Sequence, residues 1–346
     1  MAPTDALDRM DARGRVTVRQ MTPADMDPLR WVIYRAYYQV LLDLYGADSA
    51  SQYEVRSLDF MALYLRRDAA GSFVAQTEDG GIAGGLFCFV WGEVGWFGSL
   101  AVAPEFQGRA AGQALTQHAI DYLRQRGCRR IGLETWPKAP LTRHLYTKLG
   151  FELCRPTIKL SREVSTPHVP ASDAWSVSWT SSGDAAALNT TLDAVSDLTE
   201  DIRAAVPPSE ARVHYRHEVR VPVAGGFAEA AVLRDTQGVP QALALAYTRK
   251  PSGGPTAALD IRLLLVSPSG GEPALAAILA ACDRRAFQLG AHSVTCDVNL
   301  RHTRAAALLR ERGFRPTYGL VRMELPAPGI DLTARTQAIE CARWAG

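Results

Sequence analysis

The sequence repeats its own plan at an offset of 163 residues. Shifted by that amount, Gly127 meets Gly290, Glu134 meets Asp297, and Gly150-Phe151 meets Gly313-Phe314. In each copy a helical segment ends at a glycine, a short apolar strand follows (131–134; 294–297), and a second helix ends in Gly-Phe. Upstream, Val102-Ala103-Pro104 echoes Val266-Ser267-Pro268, with a loop one residue shorter in the second copy. Residues 73–76 and 81–89 read as two strands around a turn, and 231–234 and 239–247 read the same way. Matching elements in matching order predict two copies of one fold, and 346 residues suit two domains better than one core.

The boundaries follow from this offset. A flexible tail covers 1–14, the first copy 15–163, a linker 164–172, the second copy 173–325, and a C-terminal tail 326–346. The linker lies in a stretch, 161–173, rich in Ser, Pro and charge. The C-terminal tail carries one amphipathic stretch, expected to be helical and packed back on the body. In the first copy a strand at 16–19 precedes Thr22-Pro23-Ala24-Asp25, a helix start with Thr as N-cap and Pro at the first helical position. Two helical segments follow, then three strands, a loop and helix, a strand, a helix and a last pair of strands. The predicted class is α/β, an α+β mixed sheet that is largely antiparallel.

The bulk chemistry narrows the partners. A hydrophobic share of 47% and a charged share of 21% are those of a soluble globular chain. A formal net charge of +2 argues against a broad nucleic-acid surface. No apolar run approaches membrane-spanning length, and 1–14 lacks the apolar core of a secretory signal. The six cysteines are scattered with no Cys-x-x-Cys, which predicts buried, reduced thiols and a cytoplasmic location. The expected oligomeric state is a monomer or homodimer.

Residues 100–151 carry the chemistry. Leu100, Ala101 and Val102 end an apolar strand, and Gln107-Gly108-Arg109-Ala110-Ala111-Gly112 forms a small-residue turn that opens a helix. Backbone N–H groups there converge on one spot with the helix dipole behind them, which favours a bound phosphate. Glu134 at a strand end and Tyr146 on the next helix follow at a spacing suited to proton transfer. The stretch reads as an acyl-CoA site with its base and acid attached.

These residues resemble the GNAT superfamily of N-acetyltransferases. The family loop, Gln/Arg-x-x-Gly-x-Gly/Ala, is matched by Gln107 to Gly112, with Ala110 in place of the first motif glycine. Alanine is expected to keep a helical backbone there. The later motif, a Tyr four residues before Gly-Phe, is intact as Tyr146 with Gly150-Phe151. Glu134, twelve residues before that Tyr, stands where the base of ribosomal-protein N-terminal acetyltransferases of this superfamily stands. The family's usual Asn after the strand is replaced by the Lys138-Ala139-Pro140 region. The resemblance covers nearly all of 15–163 and implies two tandem GNAT-like acyl-CoA N-acyltransferase domains. It implies acetyl-CoA as cosubstrate, no metal, and a small-molecule amine or peptide amino terminus as acceptor. Leu100, Ala101 and Val102 would pair with the pantetheine arm, and Gln107, Gly108, Arg109, Ala110, Ala111 and Gly112 would hold the pyrophosphate. Glu134 would take the amine's proton and Tyr146 would protonate the leaving thiolate.

The second copy reads as degenerate. Its loop is Ser269-Gly270-Gly271-Glu272-Pro273-Ala274, Glu272 would repel phosphates, Pro273 removes an N–H donor, and Leu309 replaces the tyrosine. Tandem members of the superfamily, mycothiol synthase among them, pair one active with one degenerate half. A competing reading keeps the binding site but not the chemistry: an acyl-CoA sensor or scaffold.

Other residues have blander readings. Glu134 could be a strand-end carboxylate paired with Arg143 or Lys138, and Asp297 at the equivalent place suggests a structural acid in both halves. Glu93 and Asp59 are reserve bases. Trp31, Tyr34, Tyr38 and Tyr45 share a helix face and read as core packing, or as an acceptor lip. His214-x-x-His217 reads as a surface pair, and Arg129-Arg130 as a solvated charge cluster.

Overall fold

The computed structural model describes residues 16–164, 174–206 and 210–342. The first copy runs β1 (Val16–Gln20), α1 (Met26–Tyr45), α2 (Ala47–Ser51), α3 (Leu58–Arg67), β2 (Ser72–Thr77), β3 (Ile82–Trp91), β4 (Val94–Val102), α4 (Ala111–Gln125), β5 (Arg130–Thr135), α5 (Pro140–Lys148), β6 (Glu152–Leu153) and β7 (Thr157–Glu163). The second repeats the plan as β8 (Ser176–Thr180), α6 (Ala185–Ala204), α7 (Arg216–Ala224), β9 (Ala228–Arg234), β10 (Pro240–Arg249), β11 (Pro255–Val266), α8 (Gly271–Gln288), β12 (Ser293–Asn299), α9 (Thr303–Glu311) and β13 (Arg315–Glu324), followed by β14 (Glu340–Ala342). The fold is mixed α/β, with β5 and α5 recurring as β12 and α9 at the offset read from the sequence.

The two copies share one sheet. Its order is β1-β2-β3-β4-β5-β13-β7-β12-β11-β10-β9-β8, symmetric about its centre. The central strands are exchanged: β7 pairs with β12, and β13 pairs with β5. Each copy's late strand therefore lies against the other copy's core strand. One face is covered by α1, α3, α6 and α7, whose Leu29, Ile33, Met61, Val195, Leu198 and Val219 fall in a single apolar cluster spanning both copies. On the other face, α4 and α8 cover separate clusters.

The sheet splits where the site is expected. β4 and β5 run parallel but pair only over Val94–Trp96 and Arg130–Gly132, the last made possible by Gly132, whose added Cβ would lie 2.3 Å from Trp96. β4 continues to Val102, held only on its β3 edge. β11 and β12 likewise pair only over Ala258–Ile261 and Ser293–Cys296. In the second copy, however, β14 adds antiparallel to β11 across Leu263–Leu265. The C-terminal tail was expected to be helical. Its described part instead carries a strand, β14, which fills the gap beside β11, with Ile339 and Cys341 buried.

Candidate active site

The loop expected to hold a phosphate begins where β4 ends. A 3-10 turn, Pro104–Phe106, leads to Gln107, whose Nε2 donates to the Val102 carbonyl at 3.0 Å. Gly108 has φ +74°, and Ala110 has φ +61° and ψ −3° as the N-cap of α4. Ala110 therefore does not keep the helical backbone expected of it: the chain must reverse before the helix starts, and this needs a left-handed residue. A Cβ added at Gly112 would sit 3.5 Å from Leu145 and 3.7 Å from Val102, so the helix start runs close beneath α5 and the strand end. The first turn of α4, from Ala111, has N–H groups without helical acceptors, with the dipole behind them. The Arg109 guanidinium lies 5.9 Å over the Phe106 ring.

Glu134 and Tyr146 sit among different neighbours. Tyr146 on α5 packs edge-on against Phe97 at 6.1 Å and Phe151 at 5.9 Å, on the α4 side. Burial pushes its phenol above the usual range, so the group stays protonated at neutral pH. The Glu134 side chain is fully buried. Its Oε1 accepts from Arg322 Nε at 3.1 Å and Nη2 at 2.9 Å, and from the Thr157 hydroxyl. Oε2 is buried without a hydrogen-bond partner among the described residues. The partner of Glu134 is thus neither Arg143 nor Lys138 but Arg322, directly opposite it on the exchanged strand β13. Asp297 stands opposite Lys159 on β7 in the same way, 3.4 Å from its Nζ. An acid opposite a cation on an exchanged strand is common to both copies.

A cluster of one arginine and several aromatic rings, missed in the sequence, lies on the α1 side. Arg56, 9% exposed, donates to Ser99 Oγ at 2.8 Å, and its guanidinium lies 5.8 Å from the Tyr37 ring and 5.4 Å from Tyr64. Ser99 has φ +53°, beside a register shift in the β3–β4 pairing. Such a bulge re-aims the strand next to the split. Tyr37 meets Trp136 edge-on at 5.2 Å, and Tyr34 stacks on Tyr53 at 5.9 Å. Tyr37 was detectable, standing four residues after Ile33 on the buried stripe of α1, whereas Arg56 lies between helices with no periodic signal. The stripe itself is Leu29, Val32, Ile33 and Ala36. Trp31 and Tyr45 are 47% and 43% exposed, so these two are not core packing, while Tyr34 and Tyr38 are half-buried.

The remaining expectations fall elsewhere. Glu93 pairs with Arg129 and accepts the Arg212 N–H at the far end of β4, and Asp59 is exposed in the first turn of α3. Arg129 is partly exposed, but Arg130 is buried and bound to Glu324 at 2.5 Å; strand exchange covers a position that would otherwise face water. His217 Nε2 lies 3.2 Å from the Arg66 carbonyl, and no group of three possible metal ligands occurs among the described residues. Five of the six cysteines are buried, and all are free.

The second copy's loop satisfies itself. Ser267 Oγ accepts the Gly270 N–H at 2.9 Å, the Gly271 N–H bonds the Ser267 carbonyl at 3.1 Å, and Glu272 pairs with Arg304 at 3.5 Å. Leu309 is fully buried where Tyr146 stands in the first copy.

A split parallel pair, a left-handed loop opening α4, and a buried tyrosine on α5 converge at one place in a mixed α/β fold. Residues 34–151, about a third of the chain, match the Acetyltransferase (GNAT) family. Streptothricin acetyltransferase of Streptomyces lavendulae is 35% identical over 86 residues, 24% of this chain and 45% of that protein. The chain spans about half the length of the curated relatives it matches. Over nearly its whole length it has the fold of a putative acetyltransferase from Pyrococcus horikoshii, with TM-score 0.61, 16% identity, and 98% of each chain covered. A tandem GNAT protein from the clavulanic acid biosynthesis pathway has TM-score 0.57 at 15% identity, covering 92% of this chain and all of that one. The fold of the chain is therefore like that of this tandem protein. No helix among the described residues is long and apolar enough to cross a membrane.

Proposed function

We propose that this protein is an acetyl-CoA-dependent N-acetyltransferase whose first copy transfers an acetyl group to a small-molecule amine or an amino terminus. The observation that carries the reading is the free edge of β4 beyond Trp96, ending at a loop and helix start built for an anion. Backbone groups of Leu100, Ala101 and Val102 pair with the pantetheine arm. The N–H groups from Gly108 to Gly112 hold the pyrophosphate, with Arg109 as charge support. An N–H on β4 stabilises the tetrahedral oxyanion. Tyr146, kept protonated by burial, gives its proton to the leaving thiolate. Glu134 accepts the amine's proton, directly or through water, at Oε2, the oxygen not engaged by Arg322. The aromatic wall of Tyr37, Tyr53 and Trp136 favours an acceptor with an apolar body.

Titration with acetyl-CoA should give one site per chain, lost when Gly108 becomes Asp. Tyr146→Phe should lower kcat about a hundredfold, at the low end of acid–base catalysis, with acetyl-CoA affinity unchanged. Glu134→Gln separates base from brace: a base loses kcat with Tm kept, whereas a purely structural pair loses Tm with kcat kept. Binding without transfer to any amine in a broad panel would leave a sensor or scaffold.

A further inference from the structure

The second copy retains a cavity although its acyl-donor slot is filled. A volume of about 270 Å³ lies between α6, β11, the residues after β12, and the tail leading into β14, and is closed by Val94 and Arg130 of the first copy. The place is informative. α6 corresponds to α1, β11 to β4, and Arg301-His302 to the residues after β5, so this is the acceptor side of the second copy. β14, meanwhile, lies along Leu263–Leu265 of β11, the edge that β4 leaves free for a pantetheine arm. The cavity therefore has walls for a small molecule and no path for an acyl donor.

Its lining is charged and incompletely paired. Arg301 and Arg130 both reach Glu210, at 2.6 and 3.4 Å, and Arg130 also binds Glu324. Arg301, 8% exposed, has Nε without a hydrogen-bond partner among the described residues. His302, also 8% exposed, lines the same space, and its Nδ1 has no partner among the described residues. A buried polar atom left unpaired costs roughly 1–3 kcal/mol, so two such atoms beside one cavity leave it with unmet hydrogen-bonding capacity. Burial and the neighbouring Arg301, Arg322 and Arg130 push the imidazole well below its usual range, which leaves it neutral, with Nδ1 able to make one bond to a hydroxyl or amine. Arg203 and Arg212 stand at the exposed mouth. Against these, Glu340 takes a 2.5 Å bond from Tyr215, and burial pushes its carboxyl up. Positive charge dominates the lining, and Ile202 and Leu265 add apolar wall.

We propose that this cavity binds a small hydroxy- or amino-carboxylic acid, its carboxylate on Arg301 and its hydroxyl or amine on His302, so that the second copy is a ligand-binding half. This stands apart from acyl transfer, and its test uses no acyl donor for the primary readout. The full-length chain is titrated with L-malate and L-aspartate by calorimetry, with Tm as a second readout and inorganic phosphate as control. One saturable site per chain is expected for at least one of the two acids, with a raised Tm. Arg301→Gln should weaken it about tenfold, the worth of one charge-assisted hydrogen bond. Ala211→Phe, on the cavity wall, should abolish it. Acetyl-CoA binding should be unchanged in both variants. Absence of binding by both acids, binding that persists in both variants, or phosphate binding equal to that of the acids would each overturn the proposal.

Discussion

Ala110 carries a strain that glycine would not. Its φ of +61° lies in the region where a Cβ costs about 1–2 kcal/mol. Gly108 meets the same demand without cost, two residues earlier. Ala110→Gly should therefore raise stability by at most about 1 kcal/mol, once the greater freedom of glycine in the unfolded chain is subtracted. Thermal unfolding checks this, and an unchanged or lower Tm would mean the methyl packs usefully. Ser99, at φ +53°, differs because its hydroxyl holds Arg56 beside the aromatic wall. At this scale the sequence exposed Tyr146 and the loop, whose spacing is local. It could not reveal Arg322 as the partner of Glu134. The two are 188 residues apart, and nothing near either one encodes that distance.

Between elements, the corner from β1 to α1 depends on one carboxylate. Asp25 accepts from the Thr22 N–H and hydroxyl at 2.8 Å each, and from Arg19 Nη1 and Nη2 at 2.7 Å. The Arg19 bonds hold its carboxyl down at about 2, against roughly 3.9 in an unfolded chain. A depressed folded value means the unfolded chain binds the proton more readily. The stabilisation is therefore complete above about pH 4 and is lost as pH falls toward 2. Asp25→Asn should lower Tm at pH 7 and flatten the acid slope across that window. A slope equal to wild type in acid titrations of Tm would show that Asp25 is not the group responsible. The Thr-Pro-x-Asp pattern made this corner legible. The tail was not legible: three residues of β14 are too few to show a strand period, and their pairing depends on a gap in β11 and β12 that only the assembled sheet creates.

At the scale of the whole molecule, strand exchange makes each copy incomplete without the other. The repeat was readable because it is a matter of order and offset. Exchange was not, because β7 and β13 offer similar backbone edges and nothing in a strand's own pattern says which copy it will join. Separated at the linker, the first copy would lose β13 beside β5, which removes Arg322 from Glu134 and Glu324 from Arg130. Each loss strands a buried charge, and breaking such a pair costs about 3–5 kcal/mol. It would also lose α6 and α7 from the apolar cluster they share with α1 and α3. A chain of residues 1–163 alone is therefore expected to aggregate or remain unfolded, while co-expression with residues 164–346 should restore a soluble 1:1 complex. The intact chain should unfold in a single calorimetric transition, because no core can melt and leave the other's sheet complete. Two separate transitions, or a folded 1–163 fragment that binds acetyl-CoA, would show that each copy can close its sheet with its own last strand, and that the exchange is a matter of packing rather than a requirement of the fold.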